Sequence, residues 1–249
     1  MSETPESQPI VKIRATDAIV SVIGLVKVYN ESRQRLPVRA LDGVDLEIGA
    51  GEFTAIVGPS GSGKTTLLNL IGGLDYPTSG SVVVAGKDLS TLNRSELADF
   101  RLWNLGFIFQ AYNLIPVLTA YENAEFTLLL QGVRAAERKK RVLEELETLG
   151  IEEDLAHRRP GELSGGQQQR IAIARALVSE PKLILADEPT ANLDSKTGSR
   201  LLDKMKQMNV ETGVTFLFST HDPMVMEKAD RVITLRDGAI VSNETRAKR

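Results

Sequence analysis

The sequence predicts an α/β fold built around a parallel sheet with helices on both faces, and three observations carry that prediction. Short, fully apolar runs, "GFIF" at 106–109, "KLILAD" at 182–187, "VTFLFST" at 214–220 and "RVITLRDG" at 231–238, alternate with helical patterns, as strands buried on both faces require. A cluster of β-rich runs with turn residues between them precedes this pattern. From about residue 113 to 163 the rhythm breaks into helix with no strand, which reads as an insertion.

Taken in order, "MSETPESQP" is polar and holds two prolines, so residues 1–16 are expected to be a disordered lead-in. The β-rich part follows as "AIVSVIGLVKVY", "VRALDGVDLEI" and "GEFTAIVG", and returns as "SGSVVVAGKDL" at 79–89 with glycine turns on both sides. In "RAAERKKRVLEELETLG" (134–150), Val142, Leu143, Leu146 and Leu149 recur at helical spacing and Gly150 closes the run. Its basic residues are therefore the wet face of an amphipathic helix. One domain is expected over 17–242, with a helical part at about 113–163 and a tail at 243–249. No internal repeat is visible.

Composition narrows the function. The 249 residues are 42% apolar and 25% charged, ample for a packed core. A net charge of −3 provides no field to hold a polyanion, so no nucleic-acid partner is expected. There is no cysteine, which rules out disulfides and thiolate metal sites and suits a reducing compartment. Two histidines alone cannot build a metal site. The run "AIVSVIGLV" is too short to cross a bilayer and lacks a secretory cleavage pattern. A soluble, cytoplasmic protein is expected, tied to any membrane only through a partner.

The strongest chemical signal is "GPSGSGKTT" at 58–66. It fits G-x-x-x-x-G-K-[ST], with an apolar strand before it and a helical pattern after it, the context a phosphate-binding loop requires. Gly58, Pro59, Ser60, Gly61, Ser62, Gly63, Lys64, Thr65 and Thr66 are the candidate nucleotide-binding loop, and backbone N–H groups from Ser60 to Lys64 can converge on phosphates, helped by the positive end of the helix dipole. A bare glycine turn would not explain Lys64, because a cation is disfavoured at a helix start. Lys64 is the candidate contact to the β/γ phosphates and Thr65 offers a hydroxyl to Mg²⁺. In "LILADEP", Asp187 ends an apolar strand and is the candidate metal carboxylate, while the adjacent Glu188 is the candidate base for an attacking water.

A second stretch, "LSGGQQQR" at 163–170, also looks like a helix start. Ser164 and Gln167 match a capping box. Gly165 and Gly166 gain nothing from capping, and each costs about 1 kcal/mol relative to alanine inside a helix, so close approach by a ligand is the natural compensation. The first loop already has its own acidic strand edge. The second helix start is therefore expected to face the nucleotide of another copy, two chains packing about a two-fold axis as a homodimer around two ATP molecules.

Together these motifs resemble the nucleotide-binding subunits of ABC transporters, whose signature is LSGGQ, over about residues 20–242. The resemblance implies a P-loop NTPase fold: a RecA-like parallel-sheet core, an antiparallel β subdomain and an inserted α-helical subdomain. It implies ATP and Mg²⁺ as ligands and assigns Leu163, Ser164, Gly165, Gly166 and Gln167 to the partner's nucleotide. By the same resemblance Tyr29 stacks on adenine, Gln110 senses Mg²⁺ and communicates with a membrane partner, Asp194 crosses the dimer interface, and His221 contacts the γ-phosphate. The alternatives for Tyr29 and His221 are core packing.

The segments "IGGLDYPTSGSV", "RLWNLGFIFQAYNLIPVLTAYEN" and "LADEPTANLDS" resemble the lipoprotein-release and macrolide-export branch. That implies an integral permease as partner, docked near Gln110–Asn123 through Tyr112, Leu114, Ile115, Pro116 and Tyr121, although each of these reads equally well as core. It also implies a place on the cytoplasmic face of the membrane. A soluble cassette acting on DNA or the ribosome would be expected to carry two cassettes or a coiled-coil insertion. A GTPase would need N-K-x-D. None of these is present.

Overall fold

A computed structural model describes residues 18–30 and 36–246. The expected lead-in at 1–16 and the last residues, 247–249, lie outside that range. In chain order the elements begin with β1 (Ala18–Tyr29), β2 (Val38–Gly49), β3 (Phe53–Val57), α1 (Lys64–Ile71), β4 (Ser79–Val84), β5 (Lys87–Asp88) and α2 (Arg94–Asn104). Then come β6 (Leu105–Ile108), α3 (Ala120–Leu130), α4 (Ala135–Thr148), α5 (Glu153–Ala156) and α6 (Gly165–Leu177). The chain continues through β7 (Leu183–Asp187), α7 (Ser195–Thr212), β8 (Thr215–Thr220), α8 (Pro223–Lys228), β9 (Arg231–Arg236) and β10 (Ala239–Thr245).

Two sheets result. One has the order β2-β1-β4-β5 and is antiparallel throughout. The other has the order β10-β9-β3-β8-β7-β6, parallel from β9 to β6 with β10 antiparallel at its edge. The parallel strands are apolar along their length because both faces are covered: every residue of β3 and β8 is buried. Phe53, Phe216 and Phe218 pack at the centre, ring centroids 4.7–5.7 Å apart. Since β3, β8 and β7 are parallel neighbours, the segments that follow them emerge at the same edge. That edge, outside the carboxyl ends of the strands, is where ligands bind in such sheets.

Two elements depart from the sequence reading. Helix α2 was not anticipated, although Asn93 and Glu96 form a reciprocal capping box at its start. The chain also stays in the sheet beyond residue 242, where a tail was expected, because Asn243, Glu244 and Thr245 pair with Ile233, Val232 and Arg231. Its polar residues there are the half-wet face of an antiparallel edge strand, whose composition looks like a tail.

The inserted helices pack through α3 on α4 and α6, burying Leu128, Val142, Leu146, Ile171 and Ala174 together. The stretch before α3 is irregular and is held by one side chain. Buried Asn123 accepts from Ile115 N (2.7 Å) and donates to the carbonyls of Ile115, Leu118 and Thr119 (2.9–3.1 Å). At the opposite end of the sheet from the strand carboxyl ends, a cleft of about 710 Å³ runs between Ile19, Leu177, Met208 and Val214. The α4 residue Glu145 lines this cleft. Its Oε1 is buried with no hydrogen-bond partner among the described residues, and burial pushes the carboxyl up to about 7 against the opposing charge of Lys204.

Candidate functional site

The loop between β3 and α1 is shaped by contacts only glycine tolerates. A Cβ on Gly63, at φ 103°, would sit 2.4 Å from the Ala40 carbonyl, and one on Gly58 would sit 2.1 Å from that of Leu235. This fit draws the loop around the start of α1. Lys64 is nearly buried, and its Nζ donates to the carbonyls of Gly58 (2.8 Å) and Pro59 (3.1 Å), closing the loop into a ring. Ser62 N donates to Pro59 O. The N–H groups of Ser60, Gly61, Gly63 and Lys64 find no acceptor among the described residues. These unpaired donors at a helix N-terminus, beside a buried ammonium, form an anion site.

Facing it, β7 ends on Asp187, whose carboxylate accepts from Thr65 Oγ1 at 3.0 and 3.2 Å. Glu188 follows at φ 48°, a conformation that costs a non-glycine residue on the order of 1–3 kcal/mol. Three contacts hold it there. Its N–H donates to Ser219 O (2.8 Å), Thr220 Oγ1 donates to its Oε2 (2.9 Å), and His221 Nδ1 lies 2.6 Å from its Oε1. A carboxylate only accepts, so Nδ1 carries the proton in that contact. Glu188 is therefore fixed through both oxygens while the His221 side chain stays 74% exposed. A cavity of about 600 Å³ joins Ser60, Lys64, Thr65, Gln110, Asp187, Glu188 and His221.

The other predicted residues are placed differently. Tyr29 does not line the cavity. Its hydroxyl bonds Asp75 (2.8 Å), and the Lys27 ammonium sits 4.7 Å from its ring centroid, covering one face. Burial and the Asp75 carboxylate push the phenol pKa up. Leu163, Ser164, Gly165, Gly166 and Gln167 are absent from the cavity wall. The expected capping box is present, Gln167 N donating to Ser164 Oγ (3.3 Å) and Ser164 N to Gln167 Oε1 (2.8 Å). Gly165 also has an intrachain neighbour, since a Cβ there would meet the Tyr112 hydroxyl at 2.9 Å. Asp194 caps α7, accepting from Lys196 N and Thr197 N, and hydrogen bonds from Thr197 hold its carboxyl below the usual range.

Sequence reasoning missed Thr220, which also accepts from Asp222 N (3.0 Å), and Thr190, whose hydroxyl bonds Asp222 (2.5 Å). The only signal for Thr220 was a hydroxyl residue ending an apolar strand immediately before the histidine. For Thr190 there was none.

A glycine-lined anion loop at a helix N-terminus, opposed by acidic residues at the end of a strand two places along the same parallel sheet, defines a P-loop nucleotide hydrolase. The chain belongs to the ABC transporter family, whose model matches residues 41–191, and is an ATP-binding subunit and ATP hydrolase of that family. It is 45% identical over 92% of its length to an uncharacterized ABC transporter ATP-binding protein of Thermotoga maritima, covering 96% of that protein. It is 42% identical over 92% of its length to the lipoprotein-releasing system ATP-binding protein LolD of Legionella pneumophila, covering 99% of it. Identity is 50% over 85% of the chain to the macrolide export ATP-binding/permease protein MacB of Brucella abortus, of which the chain spans 32%. Among solved structures, the ATP-binding cassette MJ0796, a Methanocaldococcus jannaschii protein, as a post-hydrolysis dimer bound to ADP and Pi, superimposes with a TM-score of 0.87 at 44% identity, covering 92% of this chain and all of that one.

Proposed function

We propose that two copies of this chain, bound to the cytoplasmic face of an integral permease of the lipoprotein-release or macrolide-export type, close around two ATP molecules and hydrolyse them to drive that permease. The observation that carries the reading is a separation. The cradle, Asp187, Glu188 and His221 share one cavity, while the helix start at exposed Ser164, with its half-buried glycines, lies outside it. A second copy supplies the missing wall, and the similar MJ0796 cassette, a dimer bound to ADP and Pi, supports this reading.

In this reading the N–H groups of residues 60–64 bind the phosphates and Lys64 leaves its loop carbonyls for the β/γ oxygens. Thr65 and Asp187 are hard oxygen donors suited to Mg²⁺, with Gln110 beside them. One carboxylate and one hydroxyl are enough where substrate phosphates complete the shell. A bound Mg²⁺ neutralises charge on the β/γ phosphates. Glu188, held by Thr220 and His221, accepts the proton of the attacking water. When both nitrogens of His221 carry protons, Nδ1 donates to Glu188 and Nε2 is left for a γ-phosphate oxygen. Tyr29 offers its uncovered ring face to adenine, and Asp194, at the exposed start of α7, reaches the partner.

The permease surface is proposed at Gln110–Asn123. Leu114 and Tyr121 pack on the core cluster, so Pro116 and Val117, the latter 72% exposed, are the contacts this segment offers. Exposed Trp103, Leu129 and Leu130 are a second apolar group at the far end of α3, where Gln131 Nε2 bonds Leu102 O and ties α3 to α2. No helix among the described residues is long and apolar enough to cross a membrane.

The test is Glu188→Gln. Turnover is expected to fall about 10²–10⁴-fold with ATP affinity kept, and the variant is expected to elute as an ATP-dependent dimer on gel filtration. Hydrolysis at the normal rate would remove Glu188 as base.

A further inference from the structure

The loop that carries Gln110 contains two successive strained residues, Tyr112 at φ 58° and Asn113 at φ 50°. Neither is glycine, and side-chain residues populate this region sparsely. The turn is tight, with Asn113 N donating to Ala111 O at 2.6 Å. One side chain grips it. Arg175, in the last turn of α6, donates Nη1 to Asn113 O (2.5 Å) and Nη2 to Tyr112 O (2.8 Å), a fork on consecutive carbonyls. No carboxylate pairs with this guanidinium among the described residues, and burial lowers its pKa. A half-buried cation spent on backbone carbonyls marks a position where geometry matters more than charge balance. The first turn of α6 touches the same loop, through Gly165 against the Tyr112 hydroxyl. Two further bonds close the circuit. Asn192 Nδ2 donates to Gln110 O (2.9 Å), and buried Gln169 donates to Pro189 O (2.8 Å).

We infer that Arg175 is a positioning residue that fixes Gln110 at the hydrolytic cavity by clamping the Tyr112–Asn113 turn to the helix that begins at Ser164. The loop facing one nucleotide and the helix start facing the other thereby move as one body. The inference rests on the proposed roles of Gln110 and Ser164.

Arg175→Lys keeps the charge and loses the fork. The full chain with this substitution is expected to bind a fluorescent ATP analogue with unchanged Kd, to require more Mg²⁺ for half-maximal activity, and to show kcat lowered about 10- to 100-fold, the scale of a displaced positioning group. Adding Asn113→Gly, which removes the strain the clamp opposes, is expected to restore kcat to within about threefold of wild type, a small fraction of the barrier change at issue. Wild-type kcat and Mg²⁺ dependence in Arg175→Lys would overturn the inference. So would a kcat loss that Asn113→Gly leaves unrepaired while the melting temperature falls, because that is the pattern of a purely structural arginine. Gln110→Ala is assayed alongside. If it shifts the Mg²⁺ dependence and Arg175→Lys does not, the clamp is wrong and the Gln110 assignment stands. If neither shifts it, the Gln110 assignment fails and takes the clamp with it.

Discussion

Replacing Glu145 by glutamine isolates a protonation effect remote from the nucleotide. Its carboxyl lies where the last turns of α4 and α6 meet the cleft, with Oε1 buried and unpaired among the described residues. Burial raises its pKa from the ordinary 4.5 to about 7. A carboxyl with a higher pKa folded than unfolded holds more protons in the folded state, so its contribution to stability is intact below pH 4.5 and is lost as pH rises to about 7. The interval between those values, at about 1.4 kcal/mol per pH unit, gives roughly 3–4 kcal/mol. Glutamine has the same shape without the titration. Other carboxylates titrate alike in both proteins and cancel in the difference. Urea midpoints of the two proteins, taken from pH 4.5 to 8, should therefore diverge with rising pH in favour of Glu145→Gln, by roughly 3–4 kcal/mol at the alkaline end. In melting temperature the corresponding gap for a domain of this size is roughly 6–16 °C. A gap that does not change with pH would show that Glu145 titrates normally.

Two further predictions concern the nucleotide. On the proposed role of Lys64, Lys64→Ala removes charge-assisted bonds to phosphate worth about 1.5–3 kcal/mol each, so isothermal titration should show ATP affinity falling more than about 100-fold; near-normal affinity would mean the ammonium stays on the Gly58 and Pro59 carbonyls. Thr220→Val preserves volume and deletes one of the three contacts holding Glu188. It should lower kcat about tenfold at unchanged ATP affinity, matching a hydrogen bond to a charged group of about 1.5 kcal/mol; an unaltered kcat would show that His221 and the backbone suffice.

Much of this was legible because it is local. The glycine spacing in 58–63, the lysine opening a helix and the acids ending an apolar strand each state their chemistry within a few residues, and the capping box at Ser164 does the same. Helix α2 was missed because its apolar residues, Leu97, Ala98, Phe100, Leu102 and Trp103, do not mark one buried stripe; among them only Leu97 is buried, so the periodic signal was weak despite a clear cap at Asn93. Strand β10 was missed because an edge strand needs only half its residues apolar. Thr220 and Arg175 act through carbonyls and carboxylates brought near by sheet and helix packing, and one-dimensional spacing does not encode such adjacency. The Lys27 ammonium over the Tyr29 ring is of the same kind: the strand tyrosine was visible, but not the cation that leaves it one free face.

Hydrolysis shared between two chains is tested most directly by specific activity against protein concentration. With saturating ATP and Mg²⁺, activity per chain should fall towards zero as dilution carries the protein below the concentration at which sedimentation shows ATP-dependent pairing. A flat profile, with wild-type turnover from a population shown to be monomeric, would contradict it.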